Sequence, residues 1–159
     1  MPVIQIETRI AAPLERVFDL ARSIDAHQDS TAGTSEKAVA GVVSDLIGAG
    51  EDVTWEARHF GVRQRLKVRI TQFDRPKHFQ DVMVTGAFAH MTHDHFFAAS
   101  DGGTLMTDRF EFSAPLGVLG VIAERLFLTR YMRGFIVRRN AILKRTAESE
   151  EWKKYLKPV

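Results

Sequence analysis

Residues 104–128 read TLMTDRFEFSAPLGVLGVIAERLFL, and the fold turns on a change of period inside them. Before Ser113, Met106, Asp108, Phe110 and Phe112 share one side, the period-two pattern of a strand. After Pro115 the period becomes about 3.6. Val121, Leu128, Phe135 and Ile142 recur at seven-residue spacing, and Met132, Ile136 and Leu143 widen the stripe, which predicts one long amphipathic helix from Leu119 to Ser149.

Upstream, Asp101-Gly102-Gly103 is the strongest hairpin signal in the chain. Short β-like runs precede and follow it: Lys37 to Ser44, Asp52 to Phe60, Val62 to Phe73, Phe79 to Thr85, Phe88 to Ala99 and Thr104 to Ser113. Six strands in succession predict an antiparallel meander. Ile4, Ile6, Thr8 and Ile10 add a strand at the start, and Pro13, at a first helical position, opens a short helix to Ile24. Asp25 to Ser35 is small and polar and reads as a loop or a broken second helix, a candidate mobile rim. Seven strands with one apolar face need a cover, and only the terminal helix is long enough.

The composition fits one domain over residues 1–159: 45% hydrophobic, 26% charged and no cysteine. A disulfide framework, a thiolate zinc site and a cysteine nucleophile are excluded. A net charge of +2 falls short of a dedicated nucleic-acid binder, so no nucleic-acid partner is expected. The start resembles no signal peptide and no run of about 18 apolar residues occurs, so the expected location is cytoplasmic. No Gly-x-Ser-x-Gly elbow and no phosphate loop is present.

Polar chemistry concentrates on one strand pair. His93 and His95, two apart, share a face with Met91 and Phe97, and the Asp101-Gly102-Gly103 turn brings Asp108 opposite one or the other histidine. The cluster reads in three ways: a pair that satisfies itself, polar groups that orient a ligand in an apolar pocket, or a metal site completed by His59 or Asp108. Trp55 shares a face with Val53, Ala57 and His59. Arg63, Arg65, Lys67 and Arg69 form a row expected to face water. From Leu119 to Ala147, seven basic residues (Arg125, Arg130, Arg133, Arg138, Arg139, Lys144 and Arg145) stand against Glu124 alone. That face is either solvated or suited to transient contact with an anionic membrane.

The order of elements, with Ile10-Ala11-Ala12-Pro13 at the first junction, Gly86-Ala87-Phe88, His93-Asp94-His95-Phe96-Phe97, Gly102-Gly103-Thr104 and Pro115-Leu116-Gly117 with Leu119-Gly120, resembles the SRPBCC superfamily. The resemblance includes START-like and polyketide cyclase and dehydrase-like proteins, and a bacterial branch sometimes labelled cell division inhibitor-like. It implies an α+β helix-grip fold, in which a curved seven-stranded antiparallel sheet wraps a long C-terminal helix around an apolar cavity. The implied function is binding or transport of a hydrophobic small molecule such as a lipid or polyketide. A cyclase or dehydrase-like enzyme using His93, His95 and Asp108 is the alternative. The expected lining is Trp55, Met91, His93, His95, Phe97, Met106, Asp108, Phe110, Phe112, Leu128 and Phe135, with no cofactor and no metal. The cavity is expected to open between Asp25–Ser35 and Gly117–Gly120.

Overall fold

The computed structural model describes residues 1–157; Pro158 and Val159, the last two positions of the expected 1–159 unit, lie outside the described residues. The strands are β1 (Val3–Ile10), β2 (Lys37–Gly41), β3 (Asp52–His59), β4 (Val62–Asp74), β5 (His78–Thr85), β6 (His90–Ser100) and β7 (Gly103–Ser113). They form one antiparallel sheet in the order β1-β7-β6-β5-β4-β3-β2. The meander from β2 to β7 is the predicted one, and β1 joins its far edge against β7. Irregular register in β4, between Lys67 and Val68 and between Ile70 and Gln72, bends the sheet, because an extra residue on one strand bends and twists it locally.

Two short helices, α1 (Leu14–Ala21) and α2 (Ile24–Ser30), carry the chain from β1 to β2. The segment read as a loop or broken helix is therefore α2, capped by Ser23 Oγ, which accepts from the Ala26 amide. Phe18 of α1 meets Phe73, Phe79 and Phe97 edge-on with centroids 5.5, 5.4 and 5.1 Å away, closing one end of the core.

The terminal helix runs from Gly117 to Glu148 in three parts: α3 (Gly117–Ala123), a π-helical turn (Glu124–Leu128) and α4 (Thr129–Glu148). Thr129 Oγ1 donates to the Glu124 carbonyl at 2.8 Å, satisfying an acceptor in the distorted turn. Gly120 is required because a Cβ there would meet the Pro115 carbonyl oxygen at 2.1 Å. α4 turns Ile136, Arg139, Asn140, Leu143, Thr146 and Ala147 inward. The stripe expected from sequence thus departs at two places. Val121 is 46% exposed, and Arg139, expected on the solvated basic face, is buried. Arg125, Arg130, Arg133, Arg138 and Arg145 stay exposed.

The basic row of β4 faces water as expected and pairs across the strand. Arg65 Nε lies 2.9 Å from Glu56, and Arg69 Nε lies 2.6 Å from Asp52. No helix among the described residues is long and apolar enough to cross a membrane.

Candidate functional site

The turn Asp101-Gly102 sets Ser100 against Gly103, which places His95 opposite Asp108 and His93 opposite Phe110. Both imidazoles therefore reach Asp108. His93 Nε2 lies 2.7 Å from its Oδ1, within hydrogen-bond distance, and His95 Nδ1 lies 3.2 Å from the same oxygen without hydrogen-bond alignment. The other ring nitrogen of His95, Nε2, bonds Asp81 Oδ1 at 2.9 Å. From the helix, Arg139 Nη2 donates to Asp108 Oδ1 at 2.9 Å and Asn140 Nδ2 to Oδ2 at 2.6 Å. Asp108 is 0% exposed, yet both of its oxygens are occupied.

The groups of this cluster shift one another's proton affinities. Burial would raise the Asp108 carboxyl, but Arg139 and the two histidines hold it well below the ordinary carboxylate value. Burial likewise opposes a charge on Asp81, and His95, together with His93 and Arg139, outweighs it. His93 is pushed down to about 4 by burial and by the neighbouring His95, so it stays neutral at physiological pH. His95 moves the other way: burial opposes its imidazolium, but Asp108 and Asp81 raise it above the ordinary imidazole value. Two carboxylates thus face the Arg139 guanidinium and a His95 ring whose protonation they favour. Asp81, His93 and His95 are also metal-ligating types with donor atoms within 4.8 Å of one another. The third member of that group is Asp81, where His59 or Asp108 was expected; Asp108 is engaged by Arg139 and Asn140.

In front of the cluster, between sheet and helix, lies a cavity of about 290 Å³. Trp55, Met91, His93, His95, Phe110, Leu128 and Phe135 stand on its wall. The other four expected residues are behind it. Phe97 packs on Phe18, Phe112 is screened by Phe88 at 5.4 Å, Met106 is 0% exposed, and Asp108 is covered by the groups it binds. The strand alternation identified the correct face, but packing by α1, Phe88 and the helix decided which residues on it remain accessible. His93 Nδ1 and Arg139 Nη1 have no hydrogen-bond partner among the described residues, and both side chains reach the wall.

A second polar group lines the cavity near β2 and β3. Glu36 Oε1 bonds His27 Nε2 at 3.1 Å, and the His27 ring lies against Trp55 with centroids 4.2 Å apart. His59 Nδ1 bonds the Tyr131 hydroxyl, and burial lowers the His59 pKa. Phe60, Ala87 and Pro115, exposed members of the lining, mark the rim. That corrects the expected opening: the rim lies at the β3–β4 and β5–β6 turns and the start of the terminal helix, and Asp25–Ser35 supplies only His27 to the wall.

Asp81, Arg139, Asn140, Glu36, His27 and Tyr131 were missed in the sequence. Asp81 carried a signal, since it alternates with Phe79 and Met83 on an apolar face of β5. Asn140 carried another, as it falls seven residues before Ala147 and four after Ile136 on the buried helix stripe. Glu36 carried none, because it sits in a short connector.

The polyketide cyclase / dehydrase and lipid transport family matches residues 1–148. No curated protein matches the chain. Among solved structures, protein TTHA0849 of Thermus thermophilus is similar, with a TM-score of 0.75 and 19% identity over 92% of this chain and 97% of that one. A START superfamily protein from Mycobacterium smegmatis aligns with a TM-score of 0.68 and 10% identity, covering 92% and 97%. The di-domain ARO/CYC protein StfQ of the steffimycin biosynthetic pathway aligns with a TM-score of 0.72 and 12% identity, over 92% of this chain and 50% of that one. At these identities the likeness concerns the fold, which is the helix grip of the START-like proteins.

Proposed function

Because the chain belongs to the polyketide cyclase / dehydrase and lipid transport family, we propose that it binds and carries a hydrophobic small molecule, such as a lipid or polyketide, between sheet and helix. The observation that carries the reading is a cavity of about 290 Å³ whose largely apolar wall holds oriented polar atoms at His93 and Arg139. Small-molecule sites combine these features, the apolar wall giving affinity and a few polar atoms giving orientation; the volume sits at the small end of their range of roughly 300–1,000 Å³. Native mass spectrometry of protein purified from its host, followed by extraction and identification of what travels with it, is the test. A captured hydrophobic compound supports the reading; no captured compound, and no displacement of a fluorescent lipid, would sink it.

Loading from an anionic membrane extends this reading. Beside the rim, Leu116 and Val118 are each 78% exposed and Phe127 64%, with Arg125, Arg130 and Arg133 exposed nearby. Apolar side chains can enter the interface while the arginines meet anionic headgroups, each contributing on the order of 1 kcal/mol at low salt. Co-sedimentation with vesicles should rise with anionic lipid and fall with salt, and equal behaviour on neutral and anionic vesicles would remove the membrane step.

A cyclase or dehydrase-like activity is the second reading, favoured by one observation: His93 is held neutral while its Nδ1 is left free on the cavity wall. A neutral imidazole oriented by a carboxylate can take a proton from a bound ligand. The variants His93→Ala and His95→Ala separate the two. Turnover lost with affinity kept argues enzyme, and affinity lost with no turnover in the parent argues carrier.

A further inference from the structure

We propose that the cavity carries a second recognition point, Glu36, which accepts a hydrogen bond from a hydroxyl or amino group on the far end of the bound molecule. The inference rests on the carrier reading and narrows its ligand class to hydrophobic compounds bearing an O–H or N–H donor. Glu36 is 8% exposed and lines the cavity. Its Oε1 is held by His27, but its Oε2 is buried with no hydrogen-bond partner. Leaving a buried carboxylate oxygen unpaired is costly, and natural structures retain such groups where something else supplies the donor.

The arginines among the lining residues are engaged elsewhere: Arg139 binds Asp108. Arg22 binds Asp19 and the Ile47 carbonyl, and Arg65 binds Glu56. The missing donor is therefore left to the occupant of the cavity. The aromatic faces of His27 and Trp55 beside the carboxylate suit the apolar carbons next to a hydroxyl, and equally an ammonium, which aromatic faces attract.

The position of Glu36 also places an upper bound on the length of the ligand. Glu36 directly precedes β2, while Asp81 lies on β5, three strands away in the sheet. At a strand spacing of about 4.8 Å the contour along the curved sheet between them is about 14 Å, and the straight path across the cavity is shorter. A molecule that meets both has an apolar middle and a polar group at each end.

The test uses decylamine, decanol and decanoate to displace 1-anilinonaphthalene-8-sulfonate from the full chain and from Glu36→Gln. With the parent chain, the amine and the alcohol are expected to bind more tightly than in Glu36→Gln, the amine by about tenfold, the size of a charge-assisted hydrogen bond. Decanoate is expected to bind Glu36→Gln as well as or better than the parent. The two donors separate hydroxyl from ammonium recognition by which of them loses more. Binding of all three that is indifferent to Glu36→Gln overturns the inference and leaves the carrier reading standing; failure of the probe and all three compounds to bind the parent overturns both. A melting curve of Glu36→Gln that matches the parent's shows that the comparison concerns binding and not folding.

Discussion

Two buried carboxylates flank the same cavity and are treated in opposite ways. Asp108 receives Arg139, Asn140 and His93, with His95 close by, so that both of its oxygens are engaged; Glu36 receives His27 on one oxygen and nothing on the other. Burial alone therefore does not mark a functional group. What distinguishes the two is completeness. Asp108 ties β6, β7 and the helix together, whereas Glu36, in a connector at the edge of the sheet, keeps one acceptor unpaired beside the cavity.

The largest expected effect comes from breaking the complete end. Asp108→Ala leaves Arg139 buried without its carboxylate and should cost about 3–5 kcal/mol, read by urea unfolding. If the loss stays below about 1 kcal/mol, the cluster does not hold helix to sheet.

Acid should act next, through His93. Its pKa is about 4 in the folded chain and ordinary, 6.5, when unfolded, so below pH 6.5 the unfolded state gains a proton that the folded state refuses. Stability should therefore fall by about 3 kcal/mol from pH 6.5 to 4, at roughly 1.4 kcal/mol for each unit. Asp108 and Asp81, both lowered, add to the loss at still lower pH. His95, raised, acts in reverse: its contribution is present below pH 6.5 and is lost as pH rises through its higher folded value. Histidine ring shifts followed by NMR should show His93 neutral down to about pH 4 and His95 still charged above pH 6.5. Two rings titrating together near 6.5 would mean that the network is absent in solution.

Against these, Glu36→Gln should change unfolding stability by less than about 1 kcal/mol in either direction, because the amide keeps an oxygen for His27 and removes an unpaired charge. A loss as large as that of Asp108→Ala would make Glu36 a structural group and erase the contrast between the two.

The smallest stability effect belongs to the exposed rim. Phe127→Ser should leave stability within about 0.5 kcal/mol, since the ring is mostly in solvent, while reducing sedimentation with anionic vesicles. Unchanged sedimentation would detach Phe127 from membrane contact.

Much of the fold was legible because its signals are local. The glycine turn at Asp101-Gly102 sets the β6–β7 register within a few residues, and that register alone brings Asp108 beside the two histidines. Periods of two and of 3.6 assigned the strands and the long helix, since each reports one buried face on a regular backbone. The remainder depended on contacts between distant segments. Asp81 reaches His95 only through the pairing of β5 with β6, and Arg139, one of seven basic residues on a helix that looked solvated, turns inward only once the helix is seated on the sheet. The cavity needs the bend of β4 and the placement of Phe18, Phe88 and Phe97, and no period records a space left unfilled. Sequence by itself determined which faces are apolar and where the chain turns, because backbone periodicity and turn chemistry act over a few residues. Tertiary structure alone decided which polar side chains meet, which remain unpaired and where the interior stays open, because those outcomes depend on how the curved sheet and the helix approach one another.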